Sequence, residues 1–282
     1  EDGDGIDMPF QFLREDVDVQ NAGTGEPPEW SLSQLKGAVR EWQQEYDGWI
    51  ATCIGNHDQT RAVSQFGDED YRVESATLLA TFLLTLRGTP HVYQGEELGM
   101  TNVTFDSLAE IDDPETRNRV TAAIEAGEAE SFEDLREVVN VESRDHARTP
   151  MQWDESDNAG FTDGEPWLKV NRNYRDVNAR AARASDEGIW QFYRRLIERR
   201  HEMDVLVYGE FELLLPEDEE IYACVRTLGD ERVLVVLNWT DESNTVPLED
   251  RLDGASLLLS NYGSRAESLR MEPYEARLYR VQ

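Results

Sequence analysis

The run Trp49-Ile50-Ala51-Thr52-Cys53-Ile54 leads through Gly55 into Asn56-His57-Asp58-Gln59-Thr60-Arg61. An apolar strand that ends abruptly in a packed polar cluster presents those side chains at its carboxyl end. In parallel α/β architectures that end carries the chemistry. A carboxylate flanked by an amide and an imidazole can engage several hydroxyl groups at once. Asn and Asp are also good helix N-caps, so on these residues alone both readings are open.

The neighbouring segments alternate in character. Upstream, 6–12 is a short apolar run. Ser31-Leu32-Ser33-Gln34 has the form of a capping box, and Leu32, Leu35, Val39, Trp42 and Tyr46 follow at helical spacing. Downstream, 73–86 predicts an apolar helix that stops at Gly88, with Pro90 beyond it. His91-Val92-Tyr93 reads as a third strand that runs into Gln94-Gly95-Glu96-Glu97, and Ile189, Trp190, Phe192, Tyr193, Leu196 and Ile197 mark a further amphipathic helix. This order implies parallel strands joined by crossover helices. From about Tyr208 the pattern changes to short strand candidates at 211–215, 220–226, 233–238, 256–259 and 276–281. Turn signals such as Leu228-Gly229-Asp230 and Asp253-Gly254 separate them, as in an antiparallel β-sandwich. The expected organisation is therefore an α/β unit over 1–205 and an all-β unit over 206–282. The acid-rich, weakly helical stretch 102–141 reads as a long insertion between the third strand and the last helix. Insertions of that size at an active face shape pockets.

The chain has 282 residues, a formal charge of −32 and 39% apolar residues. Lys36 and Lys169 are the only lysines, and the acids are spread along the whole sequence. Interspersed acids with ordinary aromatic content do not read as disorder. They oppose binding to nucleic acid and to anionic membranes. They fit a protein kept soluble at very high salt, where screening makes self-repulsion tolerable. Cys53 and Cys224 sit in apolar strand-like runs, the setting of buried free thiols. The four histidines are scattered and no metal-ligand spacing appears, so no metal or cofactor is expected. There is no signal peptide and no membrane-length apolar stretch, which makes a cytoplasmic location the simplest expectation. The opening Glu1-Asp2-Gly3-Asp4-Gly5, without an initiating Met, reads as the middle of a longer protein.

Several motifs together resemble glycoside hydrolase family thirteen, the α-amylase family, in its oligo-1,6-glucosidase branch. Asp7-Met8-Pro9-Phe10-Gln11-Phe12 is similar to the family's sixth barrel strand, and Gly55 to Arg61 to the end of its seventh. Gly88-Thr89-Pro90-His91-Val92-Tyr93-Gln94-Gly95-Glu96-Glu97-Leu98-Gly99-Met100 is similar to its eighth. Ser143-Arg144-Asp145-His146-Ala147-Arg148-Thr149-Pro150-Met151-Gln152-Trp153-Asp154 resembles a signature of the oligosaccharide-cleaving branch. The implied fold is the last three strands of a (β/α)8 barrel followed by an antiparallel β-sandwich.

The resemblance implies roles residue by residue. Asp58 would be the carboxylate that binds the sugar 2- and 3-hydroxyls and stabilises an oxocarbenium-like transition state. His57 would hydrogen-bond the same sugar. Arg144 would line the closed end of a glucose pocket, paired with an aspartate, with Arg148 of the same motif as second choice. A guanidinium fork suits that task better than a lysine. Asn56, Gln59 and Arg61 are expected to border the substrate, with a loop-structural role equally open for Gln59 and Arg61. Glu96 and Glu97 are adjacent on an extended segment and point apart, so they cannot flank one glycosidic bond; at least one reads as a loop anchor. The family's nucleophile and acid/base carboxylates come from strands four and five, and neither motif occurs here. The expected partner is a small α-linked oligosaccharide or disaccharide, with the N-terminal half of the barrel missing. The function implied is a retaining α-glucosidase, with this chain alone inactive. The alternative is a non-catalytic carbohydrate-binding or scaffold protein on the same fold.

The charge makes a direct prediction. Unscreened repulsion opposes compaction, so circular dichroism of the intact parent protein should show structure being lost as KCl falls from molar to low millimolar concentration. A signal that stays flat across that range contradicts the high-salt reading.

Overall fold

The computed structural model describes residues 8–12, 30–263 and 269–282. In chain order its elements begin with β1 (Phe10–Phe12), α1 (Leu32–Arg40), β2 (Ala51–Cys53), α2 (Ala62–Phe66), α3 (Arg72–Thr85) and β3 (Thr89–Pro90). Helices α4 (Pro114–Ala126), α5 (Phe132–Glu142), α6 (Asp145–Arg148), α7 (Ala179–Ala184), α8 (Ile189–Glu202) and α9 (Asp204–Tyr208) follow. The chain closes with β4 (Glu210–Leu214), β5 (Ile221–Leu228), β6 (Glu231–Asn238), β7 (Asn244–Thr245), β8 (Ser256–Ser260), β9 (Arg270–Met271) and β10 (Ala276–Val281), and a short α10 (Glu249–Leu252) precedes β8. No described helix is long and apolar enough to cross a membrane.

The first three strands form a parallel sheet in the order β1-β2-β3, with Phe10 opposite Ala51 and Ala51 opposite Thr89. Ile6 and Asp7 of the expected first strand lie outside the described residues. The crossovers are helical, as the pattern predicts. Ser31 caps α1: its hydroxyl accepts from the Gln34 amide while the Gln34 side chain accepts from the Ser31 amide. The helix continues as a π-helical turn over Glu41–Glu45, which the apolar spacing did not reveal. Helix α3 is buried from Ser75 through Thr85. Its threonines are tolerated there because each hydroxyl donates to a carbonyl one turn back: Thr77 to Val73, Thr81 to Thr77 and Thr85 to Thr81.

The third strand differs from expectation. It occupies Thr89–Pro90, not 91–93. His91 still donates to the Thr52 carbonyl (2.8 Å), but Tyr93 already begins a turn in which the Glu96 amide donates to the Tyr93 carbonyl (3.0 Å). Gly88 is needed to enter this strand: its φ is +124° and a Cβ would stand 2.4 Å from the Ile50 carbonyl oxygen.

The C-terminal part is a five-stranded antiparallel sheet, β4-β5-β6-β10-β8, with a small β7-β9 sheet beside it. The two-residue period of β5 sorts its side chains. Ile221, Ala223 and Val225 face a cluster that includes Val246 and Met271. Tyr222 and Cys224 join the main core with Phe82, Leu83 and Phe192 of α3 and α8. Cys53 and Cys224 are buried free thiols. The 102–141 stretch is more helical than expected, carrying α4 and most of α5 around Val103, Phe105, Ile111, Val120 and Val139.

Buried cations seal the junction of the helices and the large sheet. Arg200 on α8 donates to the carbonyls of Leu84, Leu86, Gly88 and Leu206 at 2.6–2.9 Å. Arg226 on β5 donates to the carbonyls of Thr85, Leu206 and Gly209. These groups satisfy the C-terminal carbonyls of α3, which have no partner within the helix. A positive group is also favoured at that pole of the helix dipole. Arg226→Met should therefore orphan the Thr85 and Gly209 carbonyls and cost about 3 kcal/mol. Urea unfolding at fixed salt checks this, and a loss under about 1 kcal/mol contradicts it.

Candidate active site

Residues 55–61 leave the carboxyl end of β2 in a tight turn. Asn56 Oδ1 accepts the Asp58 amide (2.8 Å) and the Gln59 amide donates to the Asn56 carbonyl (3.4 Å). Helix α2 begins only at Ala62, with Arg61 at its N-cap, so neither Asn56 nor Asp58 caps a helix. The turn leaves His57 and Asp58 solvent-facing, their side chains 70% and 49% exposed. His57 Nε2 lies 3.1 Å from Asp58 Oδ2.

The Ser143 to Trp153 segment brings two guanidinium groups to this carboxylate. Arg148 Nη2 donates to Asp58 Oδ1 (2.6 Å), and Arg148 Nε donates to the His57 carbonyl (2.8 Å). Arg144 stands farther off, with Nη1 3.6 Å from Asp58 Oδ1. Its Nε and Nη2 are committed to Asp113 Oδ1 at 3.1 and 2.5 Å, and Nη2 also pairs with Glu115 at 3.2 Å. At Asp58 it is therefore Arg148, not Arg144, that makes the hydrogen bond. The physical reason is that a buried carboxylate on the inserted segment has already captured the Arg144 fork.

Asp113 is that carboxylate, and sequence reading missed it. It caps α4, its Oδ2 accepting from the amide (2.9 Å) and hydroxyl (2.6 Å) of Thr116. Burial pushes its carboxyl up, but hydrogen bonds from Arg144 and Thr116 hold it below its ordinary value. The hydrogen bond to Asp113 in turn raises Arg144. Asp145 Oδ2 accepts the amides of Asp112 and Asp113 at 2.7 and 2.8 Å, which docks the insertion against α6. The available signal was Asp113-Pro114, an N-cap followed by proline in the first turn. The result is an alternating array of Asp58, Arg148, Asp113, Arg144 and Glu115, open to solvent on the Asp58 side.

Two expected substrate residues lie elsewhere. Gln59 is 4% and Arg61 3% exposed. The Arg61 side chain donates to the Gln94 carbonyl (2.7 Å), the His146 carbonyl (3.1 Å) and Thr149 Oγ1 (3.3 Å), while its amide donates to Asn102 Oδ1 (2.9 Å). Burial lowers its pKa to about 10. For both residues burial removes the outer-subsite contact and leaves the loop-structural role. Glu96 and Glu97 are loop anchors, accepting the amides of Tyr93 (3.1 Å) and Gly95 (2.8 Å). Among the described residues no group of three or more His, Cys, Asp and Glu could hold a metal ion.

Comparisons with known proteins agree with this fold. The profile of the α-amylase catalytic domain matches residues 1–209, and that of the maltogenic amylase C-terminal domain matches residues 211–277. The oligo-1,6-glucosidase of Parageobacillus thermoglucosidasius is 42% identical over 98% of this chain and 50% of its own length. The structure of trehalose-6-phosphate hydrolase from Bacillus licheniformis superposes with a TM-score of 0.90 at 38% identity, over 98% of this chain and 51% of that one. Isomaltulose synthase from Klebsiella sp. LX3 superposes with a TM-score of 0.89 at 34% identity, again over 98% and 51%. The chain spans about half the length of the curated relatives it matches. With its barrel strands, its C-terminal β-sheet and the Asp58 cluster at the end of β2, this chain belongs to the α-amylase catalytic-domain family, glycoside hydrolase family thirteen.

Proposed function

We propose that the whole protein is a retaining α-glucosidase that releases glucose from the non-reducing end of short α-linked oligosaccharides or disaccharides. In this reading the chain supplies the wall of the pocket that stabilises the transition state. The observation that carries it is the exposed Asp58 carboxylate at the end of a parallel strand, held by Arg148 at 2.6 Å with His57 beside it. A carboxylate fixed there meets the positive charge that develops at the anomeric carbon. Its hydrogen bonds to the ring hydroxyls strengthen as that charge grows. Arg148 fixes the carboxylate in place and offers its remaining donors to a terminal hydroxyl of the sugar, with Arg144 behind it and Asn56 shaping the turn.

Retention requires a nucleophile and an acid/base carboxylate about 5–5.5 Å apart. Glu96 and Glu97 do not fill those places, since both hold backbone amides. The chain by itself is therefore inactive in this reading, and the two missing carboxylates belong to the other half of the barrel. The residue boundary between the barrel part and the all-β part falls within 205–208, where α9 hands the chain to β4. The free thiols of Cys53 and Cys224 support a reducing, cytoplasmic setting. The acidic composition supports function at high salt.

In the whole protein, Asp58→Asn should lower kcat and kcat/KM together by roughly 10³-fold, because the lost interaction is made in the transition state. Arg148→Lys keeps the charge but loses the fork, so KM for the glucoside should rise along with any loss of rate. Steady-state kinetics on an aryl α-glucoside in molar KCl checks both, and an Asp58→Asn kcat within about tenfold of the parent overturns the assignment.

A further inference from the structure

Glu96 lies beneath the turn that carries Asp58, and the chemistry above makes no use of it beyond anchoring a loop. It is 7% exposed. Its Oε2 accepts the Tyr93 amide, while Oε1 has no hydrogen-bond partner among the described residues. That bare oxygen points at Gly55, where a Cβ would stand 2.6 Å away from it. Only glycine leaves room for the carboxyl, and Gly55 immediately precedes Asn56. A cavity of about 10 Å³, the size of one water, opens between Gly55, Thr60, Arg61, Tyr93, Glu96 and Tyr193.

We propose that Glu96 is a positioning residue for Asp58: it fills the space left open at Gly55, ties the turn after β3 to the turn after β2, and loses its hold when charged. The inference deepens the assignment of Asp58 to the sugar pocket and rests on it. The groups facing Glu96 are Arg61 from the turn after β2, Tyr93 and Glu97 from its own turn, and Tyr193 from α8. Helix α3 presents Ala76 and Leu79 to the cavity, while its Arg72 is held by the Leu98 and Gly99 carbonyls. The side-chain hydrogen bonds of Arg61 run to Gln94, His146 and Thr149 rather than to Glu96. Burial, reinforced by Glu97, pushes the Glu96 carboxyl up to about 8 against the pull of the Tyr93 amide and Arg61. At neutral pH it is therefore an uncharged acid.

Because the folded value lies above the unfolded one, the contribution of Glu96 to stability is complete below pH 4.5 and is lost as pH rises to about 8. Once charged, an oxygen without a partner must swing out or draw water in. Either movement alters the close contact of the carboxyl with Gly55, the residue that leads into Asn56.

NMR of the whole protein from pH 5 to 9, reading the Glu96 carboxyl carbon and the amides of residues 56–58, tests the proposal. The amides should shift with the same midpoint as the carboxyl, near pH 8. Glu96→Gln, which keeps the shape but cannot ionise, should abolish that step and retain the acid-side positions. Glu96→Ala should displace the amides at every pH. Amides that ignore the Glu96 step, or a Glu96 carboxyl that titrates in the ordinary carboxylate range, overturn the proposal. Should a variant fail to fold, the wild-type comparison of carboxyl and amides still decides. The measurement reads the turn itself, so its failure leaves the Asp58 kinetics untouched, and the reverse also holds.

Discussion

The buried guanidinium of Arg61 holds together three segments that are far apart in sequence. It sits at the far end of the turn after β2, at the N-cap of α2, and reaches the turn after β3 through the Gln94 carbonyl. It also reaches the signature segment through the His146 carbonyl and Thr149. With the Tyr93 hydroxyl, which donates to the Ala147 carbonyl (3.0 Å), that contact sets where Arg148 stands relative to Asp58. The 2.6 Å pairing of those two residues joins the same segments that Arg61 ties together. The exposed site is thus preorganised by a side chain that never meets solvent, the arrangement that electrostatic stabilisation of a transition state requires.

The same solution recurs away from the site. Arg61, Arg200, Arg226 and Lys36 are buried cations, and the hydrogen bonds of their charged groups run to backbone carbonyls, with one to a threonine hydroxyl. This holds in a chain with 59 acidic residues against 27 lysines and arginines. Burying a carboxylate beside each would desolvate a second charge, which the attraction does not reliably offset. Carbonyls at helix ends and loop starts need partners in any case. Most carboxylates stay outside, where pairs such as Arg194–Glu198 are exposed and worth little individually; Glu96, Asp113, Asp145 and Glu275 are buried, and Glu275 pairs with the buried Arg277 at 2.6 Å. A fold built this way keeps its internal cations out of reach of salt. Ionic strength then acts on the repulsion between surface acids.

Local signals carried much of this architecture. The Ser31 and Gln34 capping box, the apolar run that becomes α3 and the alternating strands β5, β6 and β10 depend on neighbours within one turn or one strand, and they were readable. The polar cluster after β2 was readable only together with the motifs at 88–100 and 143–154, because on its own it read equally well as a helix cap. The placements that needed long-range knowledge were not. Asp113 gained its importance by meeting Arg144, 31 residues away. Arg61 was indistinguishable from a surface arginine until the turns after β2 and β3 and the 146–149 segment closed over it. The third strand ended early because Glu96 claims the Tyr93 amide, a competition no periodicity reports.

The central claim is that Asp58 acts on charge that appears only in the transition state. It is tested most directly by calorimetric binding of a cationic iminosugar and of glucose to the whole protein, with and without Asp58→Asn. The account predicts that the iminosugar loses at least about 100-fold in affinity while glucose loses only a few-fold, because the carboxylate discriminates by charge. Equal losses for the two ligands would contradict it.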